Sequence, residues 1–316
     1  MKNVLICVLF LYSNIAEGNF ENSSYSAAVA NEMCKSYTEN AKKNHICPVP
    51  RENRLIGETL PEKGKFPHMV HIAYIKRNTT TYLCSGFIIS KNYILTAAHC
   101  VDEDGTDKPQ FLRAGVIDVN DVSNEQVRYI DSIIINPEFK RSAIYKLYND
   151  IALVKVTEDF NFNKFVSPVC LYTSSENPDE QGIHTGWGYT DWSEKQTHMI
   201  RLYLDFDSNE SCNNTLFPMA ESVISEGTEK NKIVCAGGKK GGCQVESGGP
   251  LQIYRNDSNE KPCMYDTVGV SSYGLGVCNR FGLPTAFTRI SNYITWIQVN
   301  VWPQVDLSTD GSPTAA

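Results

Sequence analysis

The chain has 316 residues, 41% of them hydrophobic, which is enough for one large domain or two small ones with a buried core. Its formal charge of −7 is spread without long like-charged blocks and argues against nucleic-acid binding. No apolar run reaches the roughly 20 residues that a bilayer-spanning helix requires, so a membrane protein is not expected either.

In chain order the first element is a leader. Lys2 supplies a positive end, Val4 to Tyr12 an apolar stretch, and Ala16-Glu17-Gly18 a small-residue cleavage site, which together read as a secretory signal over residues 1–18. Secretion places the chain in an oxidising compartment. Cys7 leaves with the leader, so ten of the 11 cysteines remain, an even number without any CxxC pair that would suggest a metal site. Asn-x-Ser/Thr sequons at Asn22, Asn78, Asn209, Asn213 and Asn256 permit glycosylation.

Residues 19–54 are polar, with only Cys34 and Cys47 to tie them down. From Met69 to Ser291 the apolar runs are short, rich in Val, Ile and Tyr, and separated by polar turns. Met69–Ile75, Tyr82–Ile89, Val127–Ile135, Ile151–Val156, Met199–Phe206 and Thr267–Val270 are expected strands, and their number and spacing indicate an all-β sandwich or barrel. One helix is expected at the end, capped by Ser291, with Ile294, Ile297 and Val301 on one face, ending near Trp302 before Pro303. Residues 303–316 are expected to be disordered.

Several motifs carry a specific chemistry. Leu95-Thr96-Ala97-Ala98-His99-Cys100, Tyr148-Asn149-Asp150-Ile151-Ala152-Leu153, Gly186-Trp187-Gly188, Gly242-Cys243-Gln244-Val245-Glu246-Ser247-Gly248-Gly249-Pro250-Leu251 and Ser271-Ser272-Tyr273-Gly274 follow one another in that order. In this set, and over about Leu55 to Trp302, the chain resembles the chymotrypsin/trypsin-like serine proteases, whose triad runs His, Asp, Ser along the chain. Phe66-Pro67-His68-Met69 and Cys263-Met264-Tyr265 resemble the clip-type proteases of arthropod cascades. A clip module has six cysteines, and the front segment here has two.

The resemblance implies two packed six-stranded antiparallel barrels with a C-terminal helix, all-β in class. It implies that Ser247 is the nucleophile, His99 the general base and then acid, and Asp150 the group that orients the imidazole. The backbone N–H groups of Val245 and Ser247 become the oxyanion hole. The front segment becomes a propeptide or light chain, 19–54, and activation requires a cut after Arg54. The new ammonium of Leu55 then pairs with Glu246. Gly241, Gly274 and Thr285 line the substrate pocket, and because Gly241 stands where trypsin-like members hold an aspartate, a small or medium apolar side chain is expected there. Implied disulfides are Cys84–Cys100, Cys212–Cys235 and Cys243–Cys278, with Cys47–Cys170 holding the propeptide and Cys34–Cys263 left by parity. Such chemistry needs no metal or organic cofactor. The expected partners are a protein or peptide substrate, an upstream trypsin-like activating protease and protein protease inhibitors.

Two positions depart from the family pattern Cys-Gln-Gly-Asp-Ser-Gly-Gly-Pro-Leu: Val245 replaces Gly and Glu246 replaces Asp. A β-branched residue resists the dihedrals that glycine accepts. Either Val245 fits with a small shift, or its peptide rotates and an oxyanion donor is lost. Glu246 keeps the charge but adds a methylene to a packed interior. Two readings therefore stand: a secreted serine endopeptidase made as a zymogen, and a catalytically weak homologue acting as a binding or regulatory protein.

Overall fold

The computed structural model describes residues 2–47, 60–102, 108–139, 148–191, 194–195, 197–220, 228, 231–237, 244–256, 263–274, 284–303, 305–307 and 313–314. Six strands form the first barrel: β1 (Met69–Lys76), β2 (Thr79–Ile88), β3 (Tyr93–Thr96), β4 (Pro109–Ala114), β5 (Gln126–Ile135) and β6 (Ala152–Val156). They close in the order β1-β2-β3-β6-β5-β4, every pairing antiparallel. Val70, Ile72, Phe87, Ile94, Leu112 and Leu153 are fully buried, as closure of an apolar face on itself requires.

The second half holds β7 (Cys170–Leu171), β8 (Gly182–Gly186), β9 (Gly188–Asp191), β10 (Glu194–Lys195), β11 (Ile200–Phe206), β12 (Ile233–Gly237), β13 (Gln244–Val245), β14 (Pro250–Tyr254), β15 (Tyr265–Gly274) and β16 (Thr285–Arg289). The sheet runs β14-β8-β11-β12-β16-β15 and closes through β14–β15, with β7 added in parallel at β15. The expected two-barrel, all-β architecture is therefore the observed one. Strands β10-β9-β13 make a separate small sheet beside the second barrel.

Three features differ from the sequence reading. First, a helix α1 (Lys2–Lys43) runs through the leader and the polar front segment. Ser26, Val29, Ala30, Cys34, Thr38 and Ala41 form its buried face, a three-to-four-residue period in which small and polar side chains replace the usual large apolar ones. Second, α2 (Asn209–Ala220) forms although the segment is polar and carries Pro218; Leu216 is fully buried, and Cys212 ties the helix to Cys235 of β12. Third, Ser291 does not cap the final helix. It sits in a 3-10 turn over Ile290–Tyr293, and α3 (Ile294–Val301) follows with no side-chain cap; Ile294, Ile297 and Val301 are buried as expected. In the tail, Asp306–Leu307 pairs with Pro313–Thr314.

Helix α1 also changes the disulfide pairing. Cys34 bonds Cys170 of β7 at a Cα separation of 5.2 Å, and Cys47 bonds Cys263 at 4.7 Å, in place of Cys47–Cys170 and Cys34–Cys263. Cys34 lies on the buried face of α1 that packs against β7, which places it at Cys170. The chain then turns through His45, which has a left-handed φ of 55°, and delivers Cys47 to Cys263. Cys84–Cys100 and Cys212–Cys235 are bonded, while Cys243 and Cys278 lie outside the described residues.

Tyr25 donates to the Val305 carbonyl at 2.9 Å, Ser26 meets Gln298 of α3 at 3.4 Å, and Tyr37 packs edge-on against Phe162. We expect peptide mapping of unreduced protein to recover Cys34–Cys170 and Cys47–Cys263. Cys34→Ser or Cys47→Ser alone should leave the front segment attached after a cut at Arg54, and only the double variant should release it on denaturation.

Two histidines make the interior sensitive to acid. Burial pushes His68 down to about 3, against a hydrogen bond with Gln252 that raises it. Burial likewise pushes His184 down to about 4, although its Nδ1 lies 3.0 Å from the Pro250 carbonyl oxygen. Both are neutral when folded and take up a proton on unfolding. Their contribution is complete above about pH 6.5 and falls as pH drops toward their folded values, by about 1.4 kcal/mol per pH unit for each proton. Denaturant titrations between pH 7 and 4.5 should show this slope, reduced by about half in His184→Gln.

Candidate functional site

His99 lies in a 3-10 turn (Ala98–Cys100) after β3, in the first barrel. Asp150 lies two residues before the start of β6, and the turn before it is set by Asn149, whose φ of 57° is a left-handed conformation that asparagine tolerates. Asn149 is itself held: its Oδ1 accepts from Tyr293 at 2.8 Å, and its Nδ2 donates to the Glu138 carbonyl at 3.2 Å.

Asp150 is fully buried and its oxygens are claimed by donors from both barrels. His99 Nδ1 lies 2.7 Å from Oδ2 and the His99 backbone N–H donates to Oδ1 at 2.9 Å. Ser272 donates its hydroxyl to Oδ2, and Thr288 of β16 donates to the Asp150 carbonyl at 2.9 Å. Burial alone would raise the Asp150 carboxyl; the adjacent His99 charge and the hydrogen bonds from His99 and Ser272 outweigh it and hold the group below the usual carboxylate range.

Ser272 was not singled out as a site residue from sequence. It falls in a β-bulge, since Ser271 faces Phe287 and Tyr273 faces Ala286 across β16, and the bulge turns its hydroxyl toward Asp150.

Ser247 sits between β13 and β14. It bridges in parallel to Cys84, which is bonded to Cys100, the neighbour of His99. Backbone contacts fix its loop from both barrels: Ser85 N–H donates to the Ser247 carbonyl at 2.8 Å, and Gly248 N–H donates to the Ser271 carbonyl at 2.8 Å. Gly248 has φ +84°, and a Cβ there would lie 2.2 Å from the Ser85 carbonyl oxygen, so this turn admits glycine alone. Val245 lies in β13 opposite Gly188 of β9, and Glu246 N–H donates to the Trp187 carbonyl at 2.7 Å.

Glu246 is buried, and its Oε2 lies 3.0 Å from Nε2 of the fully buried His71 on β1. The imidazole is stacked between Trp187, 4.3 Å away and 7° from parallel, and Tyr82, at 4.4 Å and 26°. Arg113 lies over the far ring, 5.2 Å from the Tyr82 centroid. The expected partner of Glu246, Leu55, and the cleavage residue Arg54 lie outside the described residues. Sequence reading missed His71 because all of β1 from Met69 to Tyr74 is buried, so no alternation sets one residue apart.

Of the expected pocket residues, Gly274 and Thr285 are cross-strand partners on β15 and β16, and Gly241 lies outside the described residues. The sequon residues Asn78, Asn209 and Asn256 are exposed, Asn213 is half-buried with its Oδ1 accepting from Thr228 N–H, and Asn22 falls within α1. Two clusters of possible metal ligands occur among the described residues, Cys84/His99/Cys100 and Cys34/Cys170/Asp266. Each spends its sulfurs in a disulfide and offers no thiolate. No helix among the described residues is long and apolar enough to cross a membrane.

Two antiparallel barrels meeting at a histidine–carboxylate pair define a chymotrypsin-like protein. The solved structure titled "Structure of GrC" shares this fold, with a TM-score of 0.61 and 22% identity, covering 78% of this chain and 99% of that one. Residues 55–297 match the family model described as Trypsin, and the chain belongs to that family. Serine protease Hayan of Drosophila melanogaster is 30% identical over 77% of this chain. Clotting factor G beta subunit of Tachypleus tridentatus is 30% identical over 79% of this chain and 80% of its own length. CLIP domain-containing serine protease HP8 of Bombyx mori is 28% identical over 87% of this chain and 76% of its own. The chain spans only 38% of the length of Hayan.

Ser272→Ala should cost about 1.5–3 kcal/mol of stability at pH 7, the range for a hydrogen bond to a buried charge. Because the folded Asp150 carboxyl is depressed, the stability it contributes is present above its unfolded value of about 3.9 and is lost as pH falls through its folded value. Urea titrations stepped down from pH 7 should show the cost of the variant constant until the folded Asp150 carboxyl begins to protonate, and shrinking from there.

Proposed function

We propose that this chain is a secreted serine endopeptidase made as a zymogen. The observation that carries the reading is the His99–Asp150 pair, docked at the barrel junction beside the Ser247 loop in a trypsin-family chain. In this reading His99 Nε2 takes the Ser247 hydroxyl proton as Oγ attacks the substrate carbonyl. Asp150 holds the imidazole through Nδ1 and stabilises its charged form. The tetrahedral oxyanion is met by the N–H groups of Val245 and Ser247. His99 then protonates the leaving amine, and a water activated by the same imidazole hydrolyses the acyl-enzyme.

Activation begins with a cut after Arg54 by an upstream trypsin-like protease, as befits a relative of cascade proteases. The new ammonium of Leu55 must draw Glu246 away from His71. A pocket bounded by Gly241, Gly274 and Thr285 prefers small or medium apolar side chains, so the product does not efficiently cleave its own Arg54 bond. Protein inhibitors are natural partners of such a site, and sequons at exposed asparagines suit a secreted glycoprotein.

A second reading, a weak homologue that binds or regulates, is favoured by one observation: the Glu246 carboxylate is already engaged by His71. Fluorophosphonate labelling of protein cleaved at Arg54 separates the two, since labelling at Ser247 supports the enzyme and resistance supports the homologue. Arg54→Gln should abolish processing by trypsin at this bond.

Val245→Gly with Glu246→Asp should raise kcat more than it lowers KM, because the gain comes from transition-state stabilisation. Restoring a lost oxyanion donor is worth roughly 10²–10³ in kcat. An unchanged and already high kcat would show that the loop has adapted fully to Val and Glu.

A further inference from the structure

Trp187 connects the outer loop of the first barrel to the backbone beside Ser247. Its indole N–H donates to the Ile117 carbonyl at 3.1 Å, its own carbonyl accepts from Glu246 N–H at 2.7 Å, and its ring stacks on His71. It is fully buried. The segment that begins at Trp187 is gripped again where it ends, by Ile117 and the two residues that follow it. Met199 N–H donates to the Ile117 carbonyl at 2.7 Å, and Val119 N–H donates to the Thr197 carbonyl at 2.9 Å. Asp118 and His198 form an isolated antiparallel bridge, with Oδ2 and Nε2 3.3 Å apart. Between these two grips lie β9 and β10, and β9 pairs with Gln244–Val245.

Ile117 thus holds Trp187 at the start of this segment and residues 117–119 hold Thr197–Met199 at its end, and β9, against which Val245 lies, runs between the two grips of this clasp. The clasp is braced from behind by Arg113, which donates to the Val119 carbonyl at 3.1 Å and pairs with Glu125.

We propose that Trp187 is a positioning residue for the nucleophile loop, and that the 117–119 clasp, including the Asp118–His198 pair, sets the conformation of Val245 and Glu246 through it. The first barrel's outer loop then regulates the competence of a site whose reacting residue sits in the second. The consequence for turnover rests on the endopeptidase reading; the structural coupling does not.

Hydrogen–deuterium exchange on the full, disulfide-intact protein tests the coupling directly. In Trp187→Phe, which keeps an aromatic ring and removes the indole donor, amides of 244–249 should exchange about five- to tenfold faster, the scale of one buried hydrogen bond. In the double variant Asp118→Asn/His198→Gln the acceleration should be about two- to fivefold, as suits a partly exposed side-chain contact. Val122→Ser, on the same loop but exposed and outside the clasp, should leave 244–249 unchanged. On protein cleaved at Arg54, kcat on a short peptide should fall by similar factors with KM unaltered.

Faster exchange confined to 115–125 and 187–199, with 244–249 at wild-type rates, overturns the proposal, as does a rise in KM at constant kcat. If Trp187→Phe fails to fold, the double variant at the partly exposed clasp carries the same comparison. A wild-type protein that is cleaved yet catalytically silent counts against the endopeptidase reading, and the exchange rates then decide the role of Trp187 alone.

Discussion

A single buried carboxylate ties the two halves of this molecule together. Removing Asp150 from water is costly unless protein donors replace its hydration, and the cost of leaving such a charge unpaired is several kcal/mol. The replacements come from both barrels, His99 from the first and Ser272 from the second, while Thr288 donates to the Asp150 backbone carbonyl. Barrel docking and placement of the imidazole are therefore one event. A misdocked junction that keeps water out but loses Ser272 leaves the carboxylate short of a donor, so docking is specified by electrostatics as well as by apolar contact.

The Ser247 loop shows the same dependence from the other side. Its carbonyl is taken by Ser85 of β2, its following amide by Ser271 of β15, and the floor of the turn leaves no room for a Cβ at Gly248. Positions 245 and 246, where this chain departs from its family's pattern, are held by the small sheet instead: Val245 pairs with Gly188, and Glu246 N–H donates to the Trp187 carbonyl. Neither substitution deletes a backbone donor. What they change is side-chain bulk and reach on a backbone that is already tied.

Much of this was legible in the sequence because the relevant signals are local. Strands such as Met69–Lys76 and Ile200–Phe206 are dense in β-branched and aromatic residues, and ordered motifs marked His99, Asp150 and Ser247. The front helix was not legible, since Ser26, Ala30, Thr38 and Ala41 bury well without looking apolar. The pairing of Cys34 and Cys47 depended on that helix, because parity of cysteines carries no information on which helix face is buried. Ser272 acquires its role only through a bulge, a property of ladder register, and His71 only through residues far away in sequence, Trp187 and Glu246.

On the activation route proposed above, the placement of His71 sets a condition. Drawing Glu246 away from His71 breaks a buried hydrogen bond, at a cost of about 1–3 kcal/mol. Moving an equilibrium from 1:99 to 99:1 requires about 5.5 kcal/mol of differential binding. An α-ammonium arriving at Glu246 must supply that difference after its own dehydration, and so needs hydrogen bonds in addition to its charge. His71 need not move in the exchange, because Tyr82 and Trp187 hold its ring from both faces whether or not the carboxylate is present. The longer reach of glutamate then acts in both directions. It lets the carboxylate touch His71 from a loop whose backbone is tied to Trp187, and it gives the side chain an extra rotatable bond through which to leave without moving that backbone.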